Sequence, residues 1–233
     1  MGKLDLPKYG TLQDLHTHTT YCDGKNTPEE MIEAAIAKGL CRIGFSGHSP
    51  SPRGEDYAMK PEEIPTYIAE VRALAEKYKG RIEVLCGIEQ DVYSPPVPEG
   101  LDYIIGSVHY IRVKDGYITV DYSAEKLRRG CLTYFDGDPY AMCEAYFAAY
   151  GKLAELKPDI VGHIDLITKF IEQDALFEIN TGALSRGYRT SPYPAEPILA
   201  YIRERGGRVI LTGDTHRAEN LCYRFDEWEK LLY

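Results

Sequence analysis

The chain has 233 residues, 44% of them hydrophobic and 27% charged, with a formal net charge of −9. That is enough apolar material for one full core, and it excludes a disordered or low-complexity chain. The acidic balance excludes a global basic footprint for nucleic acid, although bound cations can still make a pocket in an acidic protein attract anions.

In chain order, MGKLDLPKYG lacks the apolar core of a signal peptide, and no apolar run reaches transmembrane length, so a cytoplasmic chain with no membrane partner is expected. Leu12–Leu15 reads as a first strand and runs into His16-Thr17-His18. Thr27-Pro28-Glu29-Glu30 is a capping box with proline at the first helical position, and Gly39 stops that helix. Arg42–Ser46 is a second strand, followed by Gly47-His48. Pro65 opens a helix with Ile68, Val71, Leu74 and Tyr78 on one face and Gly80 at its end. Ile82–Gly87 and Tyr103–Val108 are the third and fourth strands, with Glu89 and His109 just beyond them.

Ile111–Asp138 breaks the rhythm. Lys114-Asp115-Gly116 reads as a hairpin turn, then comes a charged, Tyr-rich stretch. It is expected to be an insertion lying over the active-site face. Asp138-Pro139 opens a third helix carrying Met142, Tyr146, Ala149, Leu153 and Leu156. Ile160–Gly162, Leu176–Ile179 and Arg208–Thr212 complete seven strands. A helix from about Ala195 to Arg205 ends at Gly206-Gly207, and a short amphipathic helix around Phe225, Trp228 and Leu232 closes the chain. No repeat or linker divides it. The alternation predicts one α/β domain over residues 1–233, with parallel strands wound as a β/α barrel. The six cysteines, Cys22, Cys41, Cys86, Cys131, Cys143 and Cys222, form no CxxC pair and are expected to be reduced core or near-core thiols.

All six histidines, His16, His18, His48, His109, His163 and His216, fall at or just after the end of a predicted strand, as do Glu89 and Asp214. A lone histidine is ordinarily a hydrogen-bonded polar residue and no more. In a parallel barrel, however, the strand ends converge on one face, and residues i and i+2 of His16-Thr17-His18 point the same way. Imidazole and carboxylate suit Zn, Mn or Fe without any thiolate. Eight such side chains exceed one four-coordinate site, so two or three divalent ions are expected, with Glu89 as a bridge.

These residues carry a resemblance. Asp14-Leu15-His16-Thr17-His18 followed by Asp23-Gly24 is similar to the first motif of the polymerase and histidinol phosphatase (PHP) superfamily. Gly47-His48, Gly87-Ile88-Glu89, Ser107-Val108-His109, Gly162-His163-Ile164-Asp165 and Gly213-Asp214-Thr215-His216 follow in the family's order and cover nearly the whole chain. The resemblance implies a distorted seven-stranded TIM-like barrel and a trinuclear metal site. One ion would be held by His16, His18, Glu89 and Asp214, a second by Glu89, His109 and His163, and a third by Asp23, His48 and His216. Asp23 enters only through the resemblance, since before Gly24 it otherwise reads as a turn residue. Glu89, Asp214 and His216 are the catalytic candidates.

Gly162–Phe170 and Glu178–Arg189, followed by Tyr193-Pro194, resemble the histidinol-phosphate phosphatases of this superfamily. They imply hydrolysis of L-histidinol phosphate, a small-molecule substrate, in histidine biosynthesis. Arg186 and Arg189 are the phosphate-binding candidates, because a guanidinium fork matches two phosphate oxygens and the loop Thr181–Tyr193 holds no acid to pair them. Asp165 is a candidate proton donor to the leaving group, and Asp56, Tyr57 and Tyr117 are expected near the pocket mouth. The alternatives are a PHP phosphoesterase for a sugar phosphate or nucleic acid end, or a non-catalytic metal-binding barrel.

Overall fold

The computed structural model describes residues 12–120, 122–163 and 176–232. Seven strands form one parallel sheet, each pairing with the next in chain order. They are β1 (Gln13–Thr17), β2 (Arg42–Phe45), β3 (Glu83–Asp91), β4 (Tyr103–Ser107), β7 (Ile160–Val161), β8 (Leu176–Asn180) and β9 (Arg208–Thr212). All seven predicted strands are present. Three run further than the apolar pattern indicated, β8 by the single residue Asn180. β1 extends to Thr17, and β3 continues to Asp91 because Glu89, Gln90 and Asp91 stay in register with Ile105, Gly106 and Ser107 of β4. His16 and Glu89 therefore lie inside strands rather than beyond them.

The sheet curls until its first and last strands meet. Thr17 bridges Thr215, the His18 N–H donates to the Thr215 carbonyl at 2.8 Å, and the Thr215 N–H donates to the His16 carbonyl at 2.9 Å. Asp14 fastens this seam from inside. Its Oδ1 accepts the N–H groups of His16 (3.2 Å) and Gly213 (3.0 Å), and its Oδ2 accepts the Thr215 hydroxyl at 3.0 Å. Burial pushes the Asp14 carboxyl up to about 6 despite these donors.

Helices pack outside the sheet. α1 (Pro28–Ala37) begins with the predicted capping box, in which Thr27 Oγ1 accepts the Glu30 N–H and Glu30 returns to the Thr27 N–H. α2 (Ile64–Lys77) buries Tyr67, Val71 and Leu74 in a core shared with β2, β3 and β4. The insertion after β4 is a hairpin, β5 (Tyr110–Val113) and β6 (Gly116–Thr119), turning at Lys114-Asp115 as predicted. The charged stretch beyond it is a helix, α3 (Ala124–Tyr134), capped by the Ser123 hydroxyl. α4 (Pro139–Leu153) buries Ala149, Tyr150 and Leu153 but leaves Met142 and Tyr146 only half-covered. The remaining helices are α5 (Gly182–Ser185), α6 (Glu196–Glu204) and α7 (Phe225–Trp228). All six cysteines are free, but two correct the expectation of core thiols. Cys41, in the turn before β2, and Cys143, on α4, are exposed.

Tyr103 packs in the barrel interior with Leu15, Ile105, Ile160, Leu176 and Ile210. Tyr103 of β4 is wholly buried and donates its hydroxyl to the Leu15 carbonyl at 2.6 Å. Glycines on β2 and β3 make room for it. A Cβ at Gly87 would lie 2.4 Å from its ring carbons, and one at Gly44 would lie 2.4 Å from its hydroxyl. Gly87→Ala is therefore expected to overpack the core and cost about 1–3 kcal/mol. Thermal unfolding should show a Tm lower by roughly 2–4 °C per kcal/mol lost. An unchanged Tm would mean that Tyr103 moves aside freely.

Candidate metal centre

The C-terminal ends of the strands bring together all nine residues expected to hold metal. β1 supplies His16 and, one residue beyond, His18. The segment after β2 carries His48, β3 carries Glu89, the turn after β4 carries His109, and the turn after β7 carries His163. The turn after β9 carries Asp214 and His216, and the loop between β1 and α1 adds Asp23. Two of these sit in left-handed backbone, His163 at φ 23° and Asp214 at φ 47°. Strain of this kind persists where surrounding contacts enforce it, and it concentrates at functional sites. Gly213 permits one such turn, since a Cβ there would come within 2.3 Å of the Asp14 carboxylate.

Glu89 lies at the centre and is 1% exposed. Its Oε2 is 2.8 Å from His48 Nδ1, 3.5 Å from His16 Nε2 and 3.7 Å from His18 Nε2. Its Oε1 is 3.0 Å from His163 Nε2 and 3.3 Å from His109 Nε2. On one side, Asp214 Oδ1 stands 3.3 Å from His18 Nε2 and 3.7 Å from His16 Nε2. On the other, Asp23 reaches His216 Nε2 at 3.2 Å and His48 Nε2 at 3.7 Å. Among the described residues three sets have ligand atoms mutually within 4.8 Å: His18, Asp23, His48 and His216; His16, His18 and Glu89; and His48, Glu89 and His109. His18, His48 and Glu89 each belong to two sets, so the groups share walls.

Burial opposes ionisation of Glu89, yet His109, His48 and His16 around it hold its carboxyl well below the usual range. Burial, with His216 and His48 beside it, pushes His18 down to about 3, so its ring is neutral and carries a lone pair at ordinary pH. His16 Nε2, His18 Nε2, Asp23 Oδ1 and Glu89 Oε2 are all buried and make no hydrogen bond. Orphaned buried polar atoms are costly, and four of them converging on one pocket fit a cation in a way that a packed core does not. The donor set is nitrogen and oxygen, which fits Zn, Mn or Fe. Cys22 Sγ lies 3.5 Å from His18 Nδ1, but burial pushes its thiol up to about 11, so it offers no thiolate.

The two arginines separate. Arg186 turns into the centre, where its Nη2 is 2.9 Å from Asp214 Oδ2 and its Nη1 lies 3.4 Å from His216 Nδ1. The expectation of an unpaired arginine is corrected here, because the acid comes from the turn after β9 and not from its own loop. Arg189 lies 4.1 Å over the Tyr193 ring and donates to the Ser191 carbonyl, away from the histidines. Of the mouth residues, Tyr57 meets the His48 ring edge-on at 5.0 Å and its hydroxyl bonds that of Tyr110. Tyr117 stacks near Tyr93 and Tyr110, and Asp56 is exposed. Asp165 and the Ile164–Phe170 stretch lie outside the described residues.

Two acids at the centre escaped the sequence reading. Asp91 Oδ2 accepts the His109 N–H at 2.7 Å and lies 3.3 Å from its Nδ1. Glu178 Oε2 lies 2.9 Å from His16 Nδ1. Both were findable. Asp91 is two residues from Glu89 and so shares its face, and Glu178 interrupts an otherwise apolar strand.

Residues 14–186 match the model of the PHP domain family. The protein named "Probable histidinol-phosphatase" in Deinococcus radiodurans is 31% identical over 92% of this chain and 90% of its own length. The histidinol-phosphatase of Bacillus subtilis is 26% identical over 92% of this chain and 97% of its own. Among solved structures, a candidate histidinol phosphatase from Listeria monocytogenes superposes with a TM-score of 0.75 at 19% identity, covering 93% of this chain and 99% of that one. The histidinol phosphate phosphatase of Lactococcus lactis, complexed with zinc, L-histidinol and phosphate, gives 0.61 at 19% identity over 95% and 94%. At these identities the structures speak for the barrel alone.

Proposed function

The chain belongs to the PHP domain family as a metal-dependent phosphoesterase, and on that premise we propose that it hydrolyses L-histidinol phosphate to L-histidinol and phosphate. The observation that carries this reading is similarity along nine-tenths of the chain to proteins named histidinol-phosphatase. A single domain, 1–233, would perform the reaction with two or three ions. His16, His18, Glu89 and Asp214 would hold one, Glu89, His109 and His163 a second, and Asp23, His48 and His216 a third. Ions so held supply Lewis acidity and an activated water for displacement at phosphorus.

The chain's own residues do the rest. Glu89 spans the pocket with both oxygens and sets the spacing between the groups it joins. Asp214 faces His18 with one oxygen and Arg186 with the other, so the guanidinium is held at the edge of the pocket, where a phosphoryl group would meet it. Tyr57, its hydroxyl held by that of the buried Tyr110, forms an aromatic wall beside His48, where the leaving group would lie. No helix among the described residues is long and apolar enough to cross a membrane.

Two measurements test the proposal. Protein expressed with ample metal should carry two or three transition-metal ions per chain by elemental analysis, and fewer than one would sink the metal-centre reading. L-Histidinol phosphate should then show a much higher kcat/KM than p-nitrophenyl phosphate, fructose bisphosphate or a nucleotide. A rate on a sugar phosphate or nucleotide that equals or exceeds it would overturn the substrate and leave the phosphoesterase standing.

A further inference from the structure

Glu178 belongs to no ligand group, yet it lies at the middle of β8 with no exposure to solvent. Four polar atoms meet its carboxylate. Toward Oε1 come the His163 N–H at 2.5 Å and the Asn180 Nδ2 amide at 2.8 Å. Toward Oε2 come the Thr212 hydroxyl at 2.7 Å and His16 Nδ1 at 2.9 Å. We infer that Glu178 is a positioning residue for the metal centre, fixing His16 in the tautomer that binds through Nε2 and holding His163 in its left-handed turn. This rests on the metal-dependent reading above.

The chemistry follows from what a carboxylate can do. Ionised, it only accepts hydrogen bonds, so His16 Nδ1 must carry the proton and its Nε2 is left with the lone pair. Nε2 is the orphaned atom, 3.7 Å from Asp214 Oδ1 and 3.5 Å from Glu89 Oε2. A carboxylate behind a metal-binding imidazole fixes ring orientation and raises ligand basicity, and losing it commonly lowers metal affinity or activity by about 10–100-fold. The second arm acts on backbone. His163 stands at φ 23°, a conformation that side-chain-bearing residues adopt only under constraint, and its N–H is held by the other oxygen of the same carboxylate. Thr212 ends β9, two residues before Asp214. One side chain thus ties together the segments that present His16, His163 and Asp214.

Glu178→Gln separates these consequences from simple packing, because it keeps the shape and changes one acceptor into a donor. If the amide nitrogen faces His163 and Asn180, three donors collide. If it faces His16 and Thr212, the imidazole can satisfy it only by moving its proton to Nε2, the atom meant for the metal. Either orientation damages the centre. Zinc affinity, read by competition with a chromophoric chelator, should fall by about 10–100-fold in Glu178→Gln, while Glu178→Asp, which keeps two acceptors, should recover part of the loss. A folded Glu178→Gln protein with wild-type zinc affinity overturns the inference, as does one whose Tm falls while its affinity holds. Should Glu178→Gln fail to fold, the zinc-loaded wild type decides by ¹⁵N NMR of its histidines. The expected result is a hydrogen-bonded proton on His16 Nδ1 with Nε2 metal-bound, and the reverse assignment overturns the inference. A wild type that binds no zinc, manganese or iron would instead defeat the metal reading itself, so the two failures are distinguishable.

Discussion

Glu89→Gln is expected to lower kcat/KM by at least about 10²-fold and to strip metal from the centre. The substitution keeps size and removes one negative charge. That charge stands within 4 Å of imidazole nitrogens from His16, His18, His48, His109 and His163. Among the described residues no other acid in the pocket touches so many of them, so none of these neighbours can replace it. The amide of glutamine would also turn a donor toward one group of imidazoles whose lone pairs are wanted for metal. The measurement pairs steady-state kinetics with elemental analysis. Near wild-type turnover and full metal content would show that Glu89 does not bridge.

Arg186→Ala is expected to weaken both substrate and inorganic phosphate. The loss should be on the order of 1.5–3 kcal/mol, the range for hydrogen bonds to charged groups, which is about 10- to 150-fold in the inhibition constant of phosphate. The structure sharpens this expectation. The guanidinium already has an anionic partner in Asp214 at 2.9 Å, and its side chain remains 34% exposed, so donors are left to face the pocket. Arg186→Lys keeps the charge beside Asp214 but loses the fork, and should recover only part of the loss. Arg189, spread on the Tyr193 ring, should be nearly silent when replaced. An unchanged phosphate inhibition constant in Arg186→Ala would leave phosphate binding to the metals alone.

Most of the barrel was legible in the sequence because parallel strands buried on both faces appear as continuous apolar runs, and because helix caps such as Thr27–Glu30 have a fixed spacing. The site was legible for a related reason. Strand ends converge, so histidines that follow strands need no further argument to be neighbours. Other features carried weaker signals. α3 buries little beyond Cys131, so its Arg- and Lys-rich sequence has no wide apolar stripe to betray a helix. Asp23 sits in a turn, where an aspartate is ordinary, and only the family resemblance marked it. Glu178 and Asp91 meet histidines from other segments, and their local signals, a polar break in an apolar strand and a spacing of two from Glu89, mark the acids without naming those partners. Arg186 looked unpaired because its acid lies 28 residues away.

The seam between β1 and the turn after β9 has a thermodynamic consequence. Asp14 and Thr215 are 201 positions apart, and the same closure that joins them places His16 and His18 beside Asp214 and stacks His18 on His216. Contacts of such sequence separation are slow to form, since the whole intervening chain must be gathered first. The open chain therefore offers no complete cage, and an ion that binds only the closed form adds its binding free energy to the stability of the barrel. At a free concentration a hundred times the dissociation constant, that is about 2.7 kcal/mol per site. Chelation is therefore expected to loosen more than the pocket. It should withdraw support from the seam where the two ends of the sheet are held together, so Tm should fall when metal is removed and rise again when it is restored.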